Sequence, residues 1–174
     1  MIVVRALIFI VLVSGAVGFG IPYFLLSGAG PGSHIPLGVF RWVGLLLMAA
    51  ASCAYLACVY DFITAGRGTP APYDPPRRLV SRRLYRHVRN PMYLSLLALL
   101  LGEAIALESR ILLAYAAAVA VAVNLFVVLY EEPHLTRRFG ATYEAYRRAV
   151  PRWIPRWTPA QEPPGGPKQV EGGG

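Results

Sequence analysis

The chain has 174 residues, of which 56% are hydrophobic and 15% are charged, and its formal net charge is +8. Ordinary soluble domains are about 45–50% apolar and about 25% charged, so this composition excludes a disordered protein and argues against a soluble globule. The length suits a single domain. Because apolar runs long enough to cross a bilayer produce such totals, the composition predicts a polytopic membrane protein.

Four apolar runs follow one another along the chain, and each is close in length to a membrane-crossing helix. The predicted spans cover residues 6–26, 42–60, 92–107 and 111–130. Glu103 lies near the outer end of the third run, where we interpret its carboxylate as reaching the membrane interface. The pattern predicts an all-α fold, a polytopic membrane helical bundle with about four transmembrane helices.

Basic residues are concentrated in two segments, one between the second and third spans and one after the fourth. Counted up to residue 158, these segments hold 13 of the 17 basic residues. Positive charge resists translocation, so both segments, and with four spans both termini, are predicted to be cytoplasmic. In this interpretation residues 1–158 form one multi-pass membrane domain. Residues 159–174, rich in Pro, Gly, Gln and Glu, form a disordered tail.

The third span is preceded by an Asn-Pro pair. Pro91 suits the first position of a helix, and Asn90 before it is a favoured N-cap residue. The free N–H groups at such a helix start also bind carboxylates and other anions. The pair therefore indicates either a plain helix start or an anion-binding site at the cytoplasmic boundary.

The fourth span ends in two adjacent acids, Glu131 and Glu132, followed by Arg137 and Arg138. Acids at a membrane exit can be solvated interface residues, whereas carboxylates beside an Arg pair can bind a cation and orient an anion. Asn124, Glu131 and Arg138 are spaced by seven and would share one face of a continuous helix. The spacing predicts a small polar pocket at the end of this span.

A short amphipathic helix is predicted after the acidic pair. Pro133 removes a backbone N–H, so we expect a kink there. Gly140 then precedes a helix over residues 141–149 that carries Tyr143 and Tyr146 on one side. This C-terminal cytoplasmic helix is expected to lie on the membrane and to cover the mouth of the pocket.

These motifs resemble the isoprenylcysteine carboxyl methyltransferase family, which is itself similar to phospholipid methyltransferases. The resemblance covers roughly residues 66–155 and is carried by Leu79, Val80, Tyr85, residues 89–93, Glu131, Glu132, Leu135, Phe139, Gly140, Tyr143, Tyr146, Val150 and Pro151. It implies an integral-membrane methyltransferase whose S-adenosylmethionine enters from the cytosol. The chain departs from the family at Asn90, where His is usual, and at Val127, where eukaryotic members carry an Arg on the acceptor side.

The resemblance also implies the roles of individual residues. Contacts with the cofactor are expected from Arg78, Leu79, Val80, Tyr85, Asn90, Pro91, Met92, Tyr93 and Glu131. Glu132 and Arg138 are expected at the catalytic centre. Arg137 and Arg138 are expected to bind the methyl acceptor, and so is Asn124 because of its spacing of seven from Glu131.

Methyl transfer from a sulfonium requires the cation and the acceptor to be held in line and away from water. The Glu131 carboxylate and the rings of Tyr85 and Tyr93 would favour the cation. A carboxylate acceptor would need Arg138 to place it, whereas an amine or thiol acceptor would need a base, for which Glu132 is nearest. The sequence does not decide between these acceptors.

The favoured acceptor is a lipophilic isoprenylcysteine-type carboxylate delivered from the bilayer, although Val127 weakens that assignment. The alternatives are a phosphatidylethanolamine N-methyltransferase, a small-molecule methyltransferase, and a transporter or scaffold of four helices without chemistry. Besides the acceptor, membrane lipids are the expected partners. We expect no metal, because the three histidines lack ligand spacing, and no nucleic acid, because the arginine-rich segment lacks interleaved aromatic residues.

Overall fold

The computed structural model describes residues 14–66 and 79–161, and these ranges are helical with no strands, as the composition and the apolar runs predict. The helices are α1 (Ala16–Ser27), α2 (Gly38–Thr64), α3 (Pro91–Ala106), α4 (Arg110–Phe139) and α5 (Ala141–Ala149). A 3₁₀ turn, Arg83–Arg86, precedes α3. Arg78, the start of the first predicted span, and the chain beyond residue 161 lie outside the described residues.

Two of the helices, α2 and α4, are long and apolar enough to cross a membrane. Both extend beyond the predicted spans at residues 42–60 and 111–130, whereas α3 agrees with its prediction to one residue at each end. α1 and α3 are apolar but shorter, at 10–17 residues. Large apolar side chains on the outer surfaces of α2 and α4 are exposed, which is the pattern of helices that face lipid. The four-span arrangement itself stays a prediction.

α2 and α3 approach each other closely at two glycines. A Cβ atom on Gly102 would lie 2.7 Å from Met48 Cγ and 2.9 Å from the Gly44 carbonyl oxygen. A Cβ atom on Gly44 would lie 2.5 Å from the backbone nitrogen of Ala106. Small residues let helix backbones meet in this way inside a membrane. This crossing orients α3, whose first turn forms part of the candidate site.

Substituting Gly102 by alanine is expected to destabilise the protein by about 1–3 kcal/mol, because the added methyl group forces two packed backbones apart. The matched control is Gly20→Ala in α1, where a Cβ atom would have its nearest neighbour at an ordinary 3.8 Å. Denaturant unfolding in mixed micelles measures both variants. Equal stability of the two would contradict the close crossing.

Glu103 does not reach the membrane interface as the sequence suggested. The residue is 4% exposed, because α3 packs against both α2 and α4 at this level. Among the described residues, its Oε2 atom has no hydrogen-bond partner. Glu108, in the turn between α3 and α4, instead bonds to the chain at the start of α2, since its carboxylate accepts from the backbone N–H groups of Leu37 at 3.1 Å and Gly38 at 2.8 Å.

α4 continues as one helix through Pro133, where the sequence predicts a kink. A π-helical turn at Val127–Glu131 precedes the proline, and α-helix resumes at Glu132–Phe139. A proline leaves a carbonyl group one turn earlier without its usual N–H partner, and a widened turn accommodates that loss. The wide turn places Glu131 at the point where α4 meets the start of α3.

Candidate active site

A cleft lies where the first turn of α3 meets the last turns of α4, and α5 closes one side of it. Its empty volume is about 1000 Å³, part of which is open to solvent. The lining residues are Phe62, Leu79, Val80, Tyr85, Arg89, Asn90, Met92, Tyr93, Phe126, Tyr130, Glu131, His134, Leu135, Phe139, Tyr143 and Tyr146.

A carboxylate and a phenol meet inside this cleft. The hydroxyl group of Tyr93, on the first turn of α3, donates to Oε2 of Glu131 at 2.9 Å. Glu131 is half-buried and both residues line the cavity. The hydrogen bond occupies one oxygen of the carboxylate and fixes its orientation. The pair thus supplies a positioned negative charge among aromatic rings, an arrangement that attracts a cation.

The next residue, Glu132, is buried in a cluster of charges instead. Its Oε1 accepts from Arg89 Nη1 at 2.8 Å and from Arg152 Nε at 2.7 Å, and its Oε2 accepts from Arg152 Nη2 at 2.8 Å. The hydrogen bond to Glu132 raises the pKa of Arg152, so the guanidinium stays charged. The bidentate contact ties the chain after α5 to α4.

The chain after α5 runs back over the approach to α3, and we call residues 151–161 the C-terminal strap. Three backbone hydrogen bonds hold it: Arg89 N–H to Pro151 O at 2.9 Å, Arg156 N–H to His87 O at 3.0 Å, and Ala160 N–H to Arg86 O at 2.9 Å. Ala160 is buried, so the packed part of the chain extends past the predicted tail boundary at residue 159. The strap fixes the approach to α3 from outside the cleft.

Asn90 occupies the N-cap position of α3, as predicted, but its side chain does not cap the helix. Its Nδ2 donates to the carbonyl oxygen of Arg152 in the strap at 3.3 Å. The side chain therefore links the strap to the start of α3. The residue also lines the cleft.

α5 turns its apolar face toward the protein. Tyr143 and Tyr146 are buried, and the Tyr146 hydroxyl donates to the backbone oxygen of Tyr85 at 2.7 Å. Burial raises the pKa of Tyr146, so its hydroxyl stays protonated and able to donate. The two rings pack with Leu79 and Phe139 beside the cleft. The prediction that α5 covers the pocket agrees with this packing, but its tyrosines are not available to insert into a membrane.

Most of the residues predicted to contact a cofactor come together. The cleft is lined by Leu79, Val80, Tyr85, Asn90, Met92, Tyr93 and Glu131. Pro91 is buried between two of them in the chain. Arg78 lies outside the described residues.

The residues predicted for catalysis and acceptor binding are not brought to the cleft lining. Both oxygens of Glu132 accept hydrogen bonds from arginines, so this carboxylate is not placed to act as a base. Arg137 and Arg138 point to solvent, and the Arg138 guanidinium stacks on the Phe139 ring at 5.7 Å. Asn124 lies on the outer surface of α4, where its Oδ1 accepts from Trp153 Nε1 at 3.0 Å.

Several cleft residues received no role from the sequence. Arg89 belongs to the motif before α3, but only the fold shows that its side chain points into the cleft. Its Nε atom is buried without a hydrogen-bond partner among the described residues. His134 stacks on Tyr130, with ring centroids 5.9 Å apart, and both line the cleft. Tyr130 and His134 are four residues apart, a spacing that makes them neighbours on the surface of a helix, and this spacing is the sequence signal that could have paired them.

α2 and α4 are long and apolar enough to cross a membrane, and the cleft holds an oriented carboxylate and several tyrosines. These features define a membrane protein with a polar ligand site. The model of the phospholipid methyltransferase family matches residues 39–142, and the chain belongs to this family. No curated protein and no solved structure matches the chain significantly. The matched region contains α2, α3 and α4 and therefore most of the cleft.

Family membership confirms the resemblance drawn from the motifs and makes the chain a membrane methyltransferase. It favours an enzyme over the transporter or scaffold alternative. In the described ranges, no group of three or more His, Cys, Asp or Glu side chains could hold a metal ion.

Proposed function

We propose that the chain transfers a methyl group from S-adenosylmethionine to a lipid-borne amine in the cleft between α3, α4 and α5. The observation that carries the proposal is the hydrogen bond from Tyr93 to Glu131 inside that cleft. It orients a negative charge in an aromatic surrounding, which suits a sulfonium. Family membership supplies the reaction class.

The chemistry of the lining fits this cofactor. S-adenosylmethionine carries an adenine ring, an α-carboxylate and a methylsulfonium, and it supplies the electrophilic methyl group. Glu131 would face the cation, and Tyr85 with Tyr146 would supply aromatic surface for the base. Arg89 and the N–H groups at the start of α3 would bind the carboxylate, since both favour anions.

The residues of the chain also orient the reactants and exclude water. Tyr143, Tyr146 and Phe139 close the α5 side of the cleft, while Phe126 and Tyr130 extend from it along α4. Exclusion of water strengthens the attraction between Glu131 and a cation. The apolar surface along α4 is the natural approach for an acceptor that arrives from the bilayer.

An amine acceptor agrees with the cleft better than a carboxylate. Arg138 does not reach the cleft, and Val127 is fully buried, so neither position offers a cation to an acceptor carboxylate. A protonated amine must lose a proton before it attacks a methyl group. The imidazole of His134, which lines the cleft, would accept that proton, the role first expected of Glu132.

The isoprenylcysteine-type carboxylate remains a second candidate because of one observation. The buried Nε of Arg89 has no hydrogen-bond partner among the described residues and could bind an acceptor carboxylate instead of the cofactor. The two candidates differ in the product, an N-methylated headgroup or a methyl ester.

We further propose that the chain crosses the membrane four times, with both termini and the cleft on the cytoplasmic side. The two segments that flank the cleft hold 13 of the 17 basic residues, and such segments resist translocation. The cofactor would then enter from the cytosol and the acceptor from the bilayer.

Calorimetry with S-adenosylhomocysteine tests the cofactor site in nanodiscs. We expect saturable binding of one molecule per chain, and weaker binding of methylthioadenosine, which lacks the carboxylate that Arg89 would hold. No binding in nanodiscs and in detergent alike would reject the cofactor assignment. Binding with equal affinity for both compounds would reject the role of Arg89.

The acceptor is tested by supplying labelled S-adenosylmethionine to the reconstituted protein with phosphatidylethanolamine or with a farnesylcysteine derivative. Label in mono- and dimethylated phosphatidylethanolamine is the expected result. Label released by mild base as methanol would support the carboxylate instead. Label only in added water-soluble amines would indicate a small-molecule methyltransferase.

A further inference from the structure

The C-terminal strap, residues 151–161, is held in one orientation although it contains no regular secondary structure. Its two ends and its middle are bonded to residues 86–90. The hydrogen bond from Arg86 Nε to Ala160 O at 2.7 Å adds a side-chain contact near its end. A segment held at several points presents a defined set of side chains outward.

The outward side chains of the strap are large and apolar. Trp157 is 99% exposed and Ile154 is 79% exposed. Burying large apolar side chains is favourable, so two of them on a fixed surface indicate something that covers them. Tryptophan is also the residue most typical of the boundary between lipid and water.

The position of the strap relative to α4 identifies what covers it. Trp153 in the strap donates its indole N–H to Asn124 Oδ1 at 3.0 Å. Asn124 lies on the exposed side of α4, with Val121 and Leu125 exposed beside it. It precedes the end of the apolar span at Tyr130 by six residues, or about 9 Å of helix. The strap therefore reaches the level of the helix surface that faces lipid.

Charge near the strap agrees with a membrane surface. Arg147 and Arg148, in the last turn of α5, are exposed. Arginines close to an anionic bilayer are attracted to its headgroups. The tyrosines of α5 are buried against the cleft, so the strap and not α5 carries the apolar groups that can enter the membrane.

We propose that the strap is a membrane-binding segment. Trp153, Ile154 and Trp157 lie in the interface of the bilayer that holds the spans, and Arg147 and Arg148 contact anionic headgroups. The inference is independent of the reaction, because it rests on exposure and on the contact with α4. Since the strap also holds the start of α3, lipid contact would support the geometry of the cleft.

Tryptophan fluorescence of the full chain in nanodiscs tests this proposal. The chain contains three tryptophans, so Trp42→Phe serves as the background, and Trp42→Phe/Trp157→Phe isolates the signal of Trp157 by difference. Each protein is measured in plain phospholipid and in phospholipid brominated near the headgroup end of the acyl chains. The same protein is compared in two lipids, so a difference in folding cannot produce the result.

We expect brominated lipid to lower the Trp157 emission roughly twofold, as for a side chain about 5–10 Å below the headgroup surface. No quenching by brominated lipid, together with quenching by aqueous acrylamide as strong as for a free indole, would overturn the proposal. Anionic phosphatidylglycerol is expected to increase the lipid quenching, and Arg147→Gln/Arg148→Gln to remove that increase. If phosphatidylglycerol left the lipid quenching unchanged, the assigned role of the arginines would be wrong.

Discussion

Replacing Glu132 by glutamine is expected to lower the free energy of unfolding by about 3 kcal/mol, because two buried or partly buried guanidinium groups lose their carboxylate. The side chains of Glu132 and Arg89 are 8% and 9% exposed, and that of Arg152 is 34% exposed. The expected loss lies at the low end for a buried ion pair since Arg152 retains contact with water. Denaturant unfolding in mixed micelles measures it.

The matched control is Glu144→Gln, which removes an exposed carboxylate 3.9 Å from Arg148 in α5. An exposed pair at this spacing is worth about 0.3–0.5 kcal/mol. Because Glu132 anchors the strap, its variant should also be cleaved faster by protease in residues 151–161. Equal stability of the two variants would show that the buried charge cluster does not hold the strap.

Replacing Glu131 by glutamine is expected to lower the turnover number about a hundredfold, because the cleft would lose the charge proposed to face the sulfonium. The variant keeps the size of the side chain and can still accept from Tyr93. Binding of the cationic analogue sinefungin should weaken about tenfold, whereas S-adenosylhomocysteine, whose sulfur is neutral, should bind nearly as before. Calorimetry and labelled methyl transfer measure these quantities.

Two variants control for indirect effects of the Glu131 substitution. Tyr93→Phe keeps the carboxylate and loses only its orienting hydrogen bond, so its effect should be smaller. Arg138→Ala changes an exposed residue outside the cleft and should leave binding and turnover unchanged. If Glu131→Gln weakened both ligands equally, Glu131 would support the cleft without facing the sulfonium.

The sequence by itself determined that the fold is helical. It also indicated most of the residues on the expected cofactor side of the site. Apolar runs require helices in a bilayer because every backbone polar group must be satisfied within its own segment. The start of α3 is predicted from Pro91, because proline suits the first position of a helix. The family resemblance carried by the ordered motifs also implied seven cofactor contacts that line the cleft.

The tertiary structure decided which of two adjacent acids faces the cleft. Glu131 and Glu132 are successive residues, and successive side chains of a helix point about 100° apart. Because both are glutamates, their chemistry does not indicate which of them faces the cleft. The arginines that pair with Glu132 lie 43 and 20 residues away along the chain, so no local pattern could assign them.

The same limit explains why Asn124 and Arg138 were assigned to the pocket. A spacing of seven places residues on one face only if the helix between them is a regular α-helix. The π-helical turn at Val127–Glu131 accommodates one extra residue and rotates the remainder of α4 by about 100°. Asn124, which precedes the wide turn, consequently meets Trp153 on the outer surface. Arg138 follows the turn in regular α-helix, and only the fold shows that it points to solvent. The hydrophobic pattern alone determined which segments are helices. The directions in which the side chains of α4 point depended on the wide turn before Pro133 and on the packing of the helix.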